Sequence, residues 1–452
     1  MAARRRRRQV SQLRILYLLL THLIAPLVIA VEGWRELRDP AQRGRVKQRL
    51  GFVTPQPKPG CTWIHAVSVG EVQAAAALVR ELKQRVPGLE IVLTTVTATG
   101  AARARTIFGD EVRHCYLPYD LPGPVRRFLD RIRPRAVIML ETEIWPTLYR
   151  EIARRQLPLV IASARLSDRS VNRYRRMASL VGESLSGDVS IGAQTAADAA
   201  RFVALGAAES RVRVTGNVKF DLEIPAAVVA AGRELRSRCA PGRPVWIAGS
   251  THEGEESAAL VAHATIRTRY PAALLLLVPR HPQRFEAVQA LLAKSGSRYA
   301  KRSSGALPSA QEEVYLVDTV GELQMFYAAS DVAFVGGSLV PVGGHSLLEP
   351  ALLGLPVIAG PWMQNAREVT ELLTGAGALT TVRSGDQLAV RVLECFDNPV
   401  AARADGAKGR EAVAASRGAV GRIVEIVLPL LRASESAPPS ATAAGPASSG
   451  SR

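Results

Sequence analysis

Short apolar runs recur along the chain, each followed by a longer stretch of helical periodicity, and this alternation restricts the fold more than any other feature. The runs are continuous, which is typical of parallel strands that are buried on both faces. They begin with CTWIHAVSV at 61–69 and continue through LEIVLTTVT, RAVIMLE, LPLVIASA, DVSIGAQ and RVRVTGN, which ends at 217. The pattern therefore predicts an α/β fold with a doubly wound parallel sheet.

A second series of apolar runs starts after an Arg-rich, helix-like connection at 222–243. It comprises PVWIAGS, AALLLLVPR, EVYLVD, VAFVGGS and PVIAG, the last at 356–360. Two Rossmann-like domains of similar size are expected, at 36–221 and 244–409, with a ligand cleft between them. The Ser/Pro/Ala/Gly-rich tail at 433–452 is expected to be disordered because it has too little apolar content to fold.

The N-terminal arm carries much of the positive charge of the protein. The net charge is +18 over 452 residues, and residues 1–50 contain 12 basic and 3 acidic side chains. An apolar segment at 15–31 lies between basic flanks, and as a helix it would be about 25 Å long, short of a hydrocarbon core of about 30 Å. We predict a basic arm and membrane-associated helix within 1–35, facing anionic lipid, and leave open whether it spans or only inserts.

Several other classes of protein are disfavoured. Outside the arm the basic residues are dispersed among acidic ones without interleaved aromatics, so no nucleic-acid partner is expected. The four cysteines are widely spaced and contain no CxxC pair, which indicates neither a disulfide framework nor a metal site. The chain has no GxxxxGK[ST] loop, and no GxGxxG opens the first strand–helix turn, so neither an NTPase nor an NAD enzyme is supported.

Two acidic residues in the first half follow buried strands. Glu71 lies in SVGE and Glu141 in ETEIWP, and burying an unpaired carboxylate directly after a strand is unfavourable unless it faces a polar site. Paired carboxylates are an arrangement that general acid/base chemistry uses, since one raises the proton affinity of the other. Lys219 in GNVKFD could add positive charge for a leaving phosphate or a carboxylate substrate, although a surface lysine at a domain edge is an equal alternative.

The second half carries features suited to an anionic ligand. Ser250 and Glu253 fit a capping box, which is read either as an anion cradle or as simple capping. Arg280 follows Pro279 at a strand end, and Gly321 and Glu322 open a predicted helix. The segment GGSLVPVGGHSLLEP at 336–350 is rich in small residues, and a helix is expected to begin near Ser346 with its amides toward an anion.

These motifs together resemble the 3-deoxy-D-manno-octulosonic acid (Kdo) transferase family. The resemblance extends from the apolar arm to about residue 430, through SVGE, ETEIWP, ARLSDRS, GNVKFD, GSTHEGEE, PRHP, VGEL and GGHSLLEP in order. It implies a GT-B glycosyltransferase fold with a lipid acceptor on the first domain and CMP-Kdo on the second. It also implies that a C-terminal helix, at about 410–432, crosses back toward the first domain.

The resemblance also assigns residues. Glu71 resembles the general base, and Glu141 and Lys219 resemble positions that stabilise the transition state. The residues similar to the CMP-Kdo-binding segments, including the anion-cradle candidate and the glycines of the 336–350 segment, are Ser250, Pro279, Arg280, Val320, Gly321, Glu322, Gly343, Gly344, Ser346, Leu347, Leu348 and Glu349. Ser346 departs from the Asn expected in many relatives, which affects that contact alone.

The implied activity is inverting transfer of Kdo from CMP-Kdo to a tetraacyl disaccharide lipid A precursor, in lipopolysaccharide synthesis at the cytoplasmic face of the inner membrane. Neither a divalent metal nor another cofactor is expected, because Arg280 and Lys219 would supply positive charge for the departing phosphate. The alternatives are another GT-B nucleotide-sugar transferase or epimerase, and a membrane-tethered protein that binds a nucleotide sugar without catalysis. The number of Kdo residues added is left open.

Overall fold

The computed structural model describes residues 2–39, 42–166, 170–171, 174 and 177–436. They form two compact units: unit 1 comprises the described residues up to Asp221 and from Gly418 onward, and unit 2 comprises Leu222–Arg417. The tail predicted to be disordered starts at 433, but residues 433–436 form the end of the C-terminal helix, so the prediction is wrong for them. Residues 437–452, like part of the ARLSDRS motif, lie outside the described residues.

Unit 1 contains a seven-stranded parallel sheet in the order β3-β2-β1-β4-β5-β6-β7. Its strands are β1 Thr62–His65, β2 Ile91–Thr95, β3 Arg113–Tyr116, β4 Ala136–Leu140, β5 Leu159–Ala164, β6 Val189–Ala193 and β7 Val212–Val214. Its helices are α1 Ala2–Arg38, α2 Arg45–Arg49, α3 Val69–Arg85, α4 Ala98–Phe108, α5 Pro122–Ile132, α6 Pro146–Arg154, α7 Ala178–Leu185 and α8 Ala196–Ala204. The C-terminal helix of the chain, Ala419–Ser436, also belongs to this unit.

Neighbouring residues of β1 show why its apolar run is continuous. Trp63 packs into one core with Phe128 of α5. Ile64, on the opposite face, packs into another core with Leu78 of α3 and Ile423 of the C-terminal helix. Both side chains are fully buried, so each face of the strand needs an apolar residue.

Unit 2 repeats the arrangement with a second seven-stranded parallel sheet, β10-β11-β9-β8-β12-β13-β14. Its strands are β8 Val245–Thr251, β9 Leu274–Pro279, β10 Tyr299–Lys301, β11 Val314–Leu316, β12 Val332–Val335, β13 Val357–Ala359 and β14 Leu379–Thr381. Its helices are α9 Ala226–Cys239, α10 Glu255–Arg269, α11 Phe285–Lys294, α12 Leu323–Ala328, α13 Leu348–Leu352, α14 Arg367–Gly375, α15 Gly385–Asp397 and α16 Pro399–Ala415. The predicted α/β class with two parallel-sheet domains is confirmed.

The C-terminal segment consists of two helices rather than one. Helix α16 ends at Ala415, and α17, Ala419–Ser436, begins after Gly418. The carboxylate of Asp221 accepts hydrogen bonds from the backbone amides of Gly418 and Val420, both at 2.5 Å. These bonds satisfy amides at the start of α17 that have no partner within the helix.

Among the described residues, helix α1 is long and apolar enough to cross a membrane, and an 18-residue window within Gln12–Arg38 has a mean hydropathy of 2.1. One face contacts unit 1: Tyr17 Oη donates to Asp120 Oδ2 at 2.7 Å, and Arg14 pairs with Glu183. Further along the helix, buried Glu32 accepts from Arg49 Nη1 at 2.6 Å. The opposite face leaves a stripe of large apolar side chains exposed: Leu16, Leu19, Leu20, Leu23, Ile24, Leu27, Val31 and Trp34.

Candidate active site

The candidate residues of unit 1 lie at the point where the order of strands in its parallel sheet reverses. Strand β1 pairs with β2 on one side and with β4 on the other, so the order of strand addition changes between β1 and β4. Glu71 lies just beyond the carboxyl end of β1, and Glu141 directly follows β4. Ligands of open α/β sheets bind at this type of position. The structure thus brings the two predicted acids to the switch point of one sheet.

Glu71 is half-buried in the first turn of α3. Its Oε2 accepts from the backbone amide of Val67 at 2.6 Å, and its Oε1 accepts from Ser68 Oγ at 3.1 Å. Burial and then the charge of Glu141 raise the pKa of Glu71 to about 7, against the opposing effect of these hydrogen bonds. A carboxyl group with a pKa near neutrality can both accept and release a proton under physiological conditions.

Glu141 and Lys219 form an ion pair, with Lys219 Nζ 2.5 Å from Glu141 Oε1. Glu141 has a φ of 57°, a left-handed conformation that is uncommon outside glycine and recurs at functional sites. Both side chains stay partly exposed, at 32% and 40%. The pair therefore presents a lysine and a carboxylate at the edge where Glu71 lies.

The loop that carries Lys219 is fixed by a buried polar network. Asn217 Oδ1 accepts from the amide of Lys219 at 2.9 Å, and Ser163 Oγ accepts from the amide of Val218 at 3.3 Å. Gln194 Nε2 donates to both the carbonyl and the hydroxyl of Ser163. Ser163 also has a positive φ, of 55°. These groups hold Lys219 in register with the ends of β5, β6 and β7.

Unit 2 has a corresponding switch point between β8 and β12, which pair with each other while β8 also pairs with β9. Ser250 is at the end of β8 with a φ of 57°, and Gly337 follows β12 with a φ of 68°. The backbone amide of Arg280 donates to Thr251 O at 3.0 Å, joining the ends of β9 and β8. Two of the predicted donor-binding residues, Ser250 and Arg280, therefore lie at neighbouring strand ends on this edge.

The capping box predicted for Ser250 and Glu253 is wrong. Strand β8 continues to Thr251, and helix α10 begins only at Glu255 with Gly254 as its N-cap. The residue that matters here is Glu255, which is 1% exposed and whose carboxylate bonds backbone amides of two loops. The adjacent acidic pair Glu255–Glu256 at the start of this helix is the signal in the sequence that indicates it.

Glu322 and Glu349 are held by neighbouring side chains. Arg302 donates to Glu322 through Nη2 at 2.7 Å, and this bond is the main cause of the lowered pKa of Glu322. Gln324 Nε2 donates to Glu349 Oε1 at 2.9 Å. Gly321, with a φ of 93°, precedes Glu322, while Val320 is 75% exposed.

The segment from Gly343 to Glu349 differs in part from its prediction. The helix starts at Leu348 rather than near Ser346 and has only five residues. Leu347 and Leu348 are buried, so only their backbone groups are available to a ligand. Gly343 and Gly344 have φ values of 109° and 79°, and the amide of Gly344 donates to Gly337 O at 2.7 Å.

Two doubly wound parallel-sheet units, each with polar residues at its switch point, define an enzyme of the GT-B class. A UDP-GlcNAc 2-epimerase from Neisseria meningitidis, solved with UDP-GlcNAc, shares this fold, with a TM-score of 0.51, 15% identity, and coverage of 82% of this chain and 99% of that one. At that identity the likeness concerns the fold alone.

Sequence relatives are more specific. Residues 44–222 match the family described as 3-deoxy-D-manno-octulosonic-acid transferase (kdotransferase). The chain is 39% identical over 421 residues to the 3-deoxy-D-manno-octulosonic acid transferase of Haemophilus influenzae, covering 92% of this chain and 99% of that protein. It is 38% identical over 405 residues to the enzyme of that name from Bordetella pertussis, covering 87% and 92%. The chain belongs to the Kdo transferase family, and it is a glycosyltransferase.

Proposed function

We propose that this protein transfers Kdo from CMP-Kdo to the tetraacyl disaccharide precursor of lipid A by an inverting displacement, as a step of lipopolysaccharide synthesis. The observation that carries the proposal is the half-buried Glu71 with a pKa raised to about 7, at the same switch point as the Glu141–Lys219 ion pair. The acceptor is assigned to unit 1 and the nucleotide sugar to unit 2.

Glu71 acts as the general base. Its carboxylate takes the proton of the acceptor hydroxyl while the oxygen attacks the anomeric carbon of Kdo, and a single displacement of this kind inverts the configuration. Because burial and Glu141 raise its pKa, the ionised Glu71 is a stronger base than an exposed carboxylate. At pH 7.5 most of the population would still be ionised.

Glu141 and Lys219 stabilise charge that develops during transfer. The ammonium group of Lys219 favours negative charge, and Glu141 fixes its position at 2.5 Å. Glu141 also maintains the proton affinity of Glu71 through its charge. The two residues thus act as a pair, and each depends on the other for its geometry.

Donor binding is assigned to the loops of unit 2. Arg280 is exposed, and its guanidinium makes no hydrogen bond or ion pair within the part of the chain that the structure describes. An arginine without a protein partner at a switch point suits a phosphate or a sugar carboxylate. Glu322 and Glu349, each held by a neighbour, offer carboxylate acceptors to the hydroxyl groups of a nucleoside. Lys219 and Arg280 supply the positive charge that a metal would otherwise provide.

The anchor is proposed to lie in the membrane surface rather than to span it. Contacts with unit 1 run from Arg14 to Glu36 of α1, so a span would draw the attached unit into hydrocarbon. The exposed apolar stripe would insert into the lipid, and Arg35 and Arg38 in the last turn of the helix would face anionic headgroups. This arrangement fits the cytoplasmic face of the inner membrane, where the donor is dissolved and the acceptor is embedded.

The direct test is mass spectrometry of the lipid after the protein is incubated with CMP-Kdo and the tetraacyl disaccharide. A mass increase of one or more Kdo residues supports the proposal and counts the additions. An unchanged lipid with consumed nucleotide sugar indicates another nucleotide-sugar enzyme, such as an epimerase. An unchanged lipid with CMP bound and no turnover indicates a protein that binds without catalysis.

A further inference from the structure

Three histidines from three separate loops of unit 2 come together beside the proposed donor site. His252 follows β8, His281 follows Arg280 after β9, and His345 follows Gly344. The rings of His252 and His345 are nearly parallel, with an interplanar angle of 11° and centroids 5.1 Å apart, and their Nε2 atoms are 2.8 Å apart. The ring of His281 packs edge-on against His252, with centroids 5.3 Å apart. His252 and His345 are called the histidine pair below.

One buried carboxylate fixes the two loops that carry the pair. Glu255 Oε2 accepts from the amides of His252 at 2.9 Å and Gly337 at 2.6 Å. Its Oε1 accepts from the amides of Ser338 at 2.9 Å and Leu339 at 2.8 Å. A carboxylate that accepts four backbone bonds holds both loops in one geometry. The histidine pair is therefore built into the site and does not arise from chance contact on a flexible surface.

Gly337 leaves the space that the pair occupies. A Cβ at this position would lie 2.9 Å from Cδ2 and 3.0 Å from Nε2 of His345, closer than side chains normally approach. The φ of 68° also favours glycine. Both properties point to a loop shaped around the imidazole of His345.

An Nε2–Nε2 hydrogen bond constrains the protons of the pair. One nitrogen must carry a hydrogen and the other must accept it, so the two Nε2 atoms share one proton in the neutral pair. A second proton placed on the accepting Nε2 would break this bond and create an N–H donor that needs a new acceptor. An incoming anion is such an acceptor.

The surroundings keep the pair neutral until an anion arrives. Burial, followed by the charges of Arg280, His252 and His281, lowers the pKa of His345 to about 4. Burial also lowers the pKa of His252, with contributions from His281, Arg280 and Arg284, and Glu255 alone among the groups that act on it opposes the shift. Since the guanidinium of Arg280 makes no hydrogen bond or ion pair among the described residues, its positive charge remains available to a ligand.

We propose that the histidine pair binds the phosphate of the nucleotide and takes up one proton when a phosphate monoester dianion occupies the site. This inference rests on the proposed function, because it places the CMP portion of the donor beside Arg280. His252 and His345 have no role in the assignments made from sequence. The pair would make the site prefer a dianionic phosphate over a neutral nucleoside.

The proton balance of transfer is then complete. The bond between the anomeric carbon of Kdo and the phosphate oxygen breaks, and its electron pair stays on that oxygen. The phosphate changes from a monoanionic diester to a monoester that tends toward two negative charges, and the imidazolium N–H donates a hydrogen bond to it. The acceptor proton moves to Glu71, which later releases it to solvent, while the histidine pair takes its extra proton from solvent as the charge on the phosphate rises. When CMP leaves, the pair returns its extra proton to solvent.

Calorimetric titration with CMP at pH 8 tests this inference, using the full chain in lipid-containing micelles and buffers of different ionisation enthalpy. CMP is already a dianion at this pH, because the second pKa of a phosphate monoester is about 6, so proton uptake must come from the protein. We expect wild type to take up a fraction of a proton per CMP, because the lowered pKa of His345 opposes full protonation at this pH. Cytidine, which lacks the phosphate, should bind without proton uptake.

Three variants test which residue gains the proton when CMP binds. H345Q should lose the uptake and bind CMP at least tenfold more weakly, while its affinity for cytidine should stay unchanged. H114Q is the matched control, since His114 is a histidine of unit 1 whose pKa burial also lowers to about 4, and it should retain the uptake. E71Q should also retain it, which excludes Glu71 as the group that gains the proton.

The outcomes separate the two levels of the proposal. CMP binding by wild type without proton uptake, or uptake that persists in H345Q, overturns the role of the histidine pair and leaves the proposed function intact. Loss of uptake in E71Q instead of H345Q does the same. Failure of wild type to bind CMP at all overturns the donor assignment and the inference together. If H345Q does not fold, the wild-type titration still decides, because absence of proton uptake contradicts the proposal without any variant.

Discussion

Lys219 Nζ lies 2.5 Å from Glu141 Oε1, and this bond joins the loop after β7 to the end of β4. The two residues are 78 positions apart in sequence. Since Glu141 also raises the pKa of Glu71, the ion pair links the position of a cation to the proton affinity of the proposed base. Removing either partner should therefore affect both the stabilisation of charge during transfer and the proton affinity of Glu71.

The first prediction concerns this pair. K219M and E141Q should each lower kcat by about 10²-fold, a loss of the size seen when one group that stabilises a transition state is removed. The double variant should lose much less than the product of the two effects, because each single change already breaks the bond. Steady-state rates of the four proteins provide the cycle. Full additivity would show that the two residues act independently.

The second prediction concerns pH. Because only the ionised Glu71 accepts a proton, kcat/KM should rise with pH and level off above about 7, where its pKa lies. Below that value activity should fall about tenfold per pH unit. The charge of Glu141 contributes to the raised pKa, so in E141Q the rising limb should move to lower pH. A rising limb at the same pH in both proteins would contradict the coupling.

A third prediction tests the carboxylate that holds the histidine loops. In E255Q an amide NH₂ group would face two backbone N–H donors, so two bonds of the four would be lost. We expect the free energy of unfolding to fall by about 2–3 kcal/mol, measured by denaturant titration. E253Q is the matched control: Glu253 is two residues away with a side chain that is 88% exposed, and its change should stay within about 0.5 kcal/mol. Equal effects of the two variants would contradict the role assigned to Glu255.

The fourth prediction concerns the anchor. Leu23 and Leu27 are 78% and 68% exposed on α1, so L23E/L27E should fold normally but bind anionic vesicles at least tenfold more weakly in sedimentation. V400E is the control, because Val400 is a 70% exposed apolar residue of unit 2. Undiminished vesicle binding by the double variant would show that the exposed stripe is not the membrane contact.

The continuous apolar runs were enough to predict the two parallel sheets. Trp63 and Ile64 illustrate why: they pack into cores on opposite faces of β1, so these successive residues of the strand are both apolar. Strands β3, β10 and β14 were not predicted, and all three are edge strands of three or four residues with incomplete burial. Edge positions relax the requirement for apolar side chains, so such strands have a weak pattern.

Part of the site could also be predicted. Glu71 and Glu141 stood out because acidic residues followed apolar strands, and their neighbourhood follows from the pairing of β1 with β4. The contacts of Glu255 and of the histidine pair join loops whose residues are 82 and 93 positions apart in sequence. Local periodicity carries no information about which loops meet, and a helix of five residues at Leu348 is too short to produce a pattern.

The measurement that tests the account most directly compares wild type and E71Q for Kdo transfer and for CMP affinity in the same preparation. E81Q, on the solvent side of the same helix where Glu81 pairs with Arg85, is the matched control and should behave as wild type in both assays. We predict that E71Q binds CMP normally and transfers Kdo at least about 10³-fold more slowly. Near-normal transfer by E71Q would contradict the assignment of Glu71 as the base.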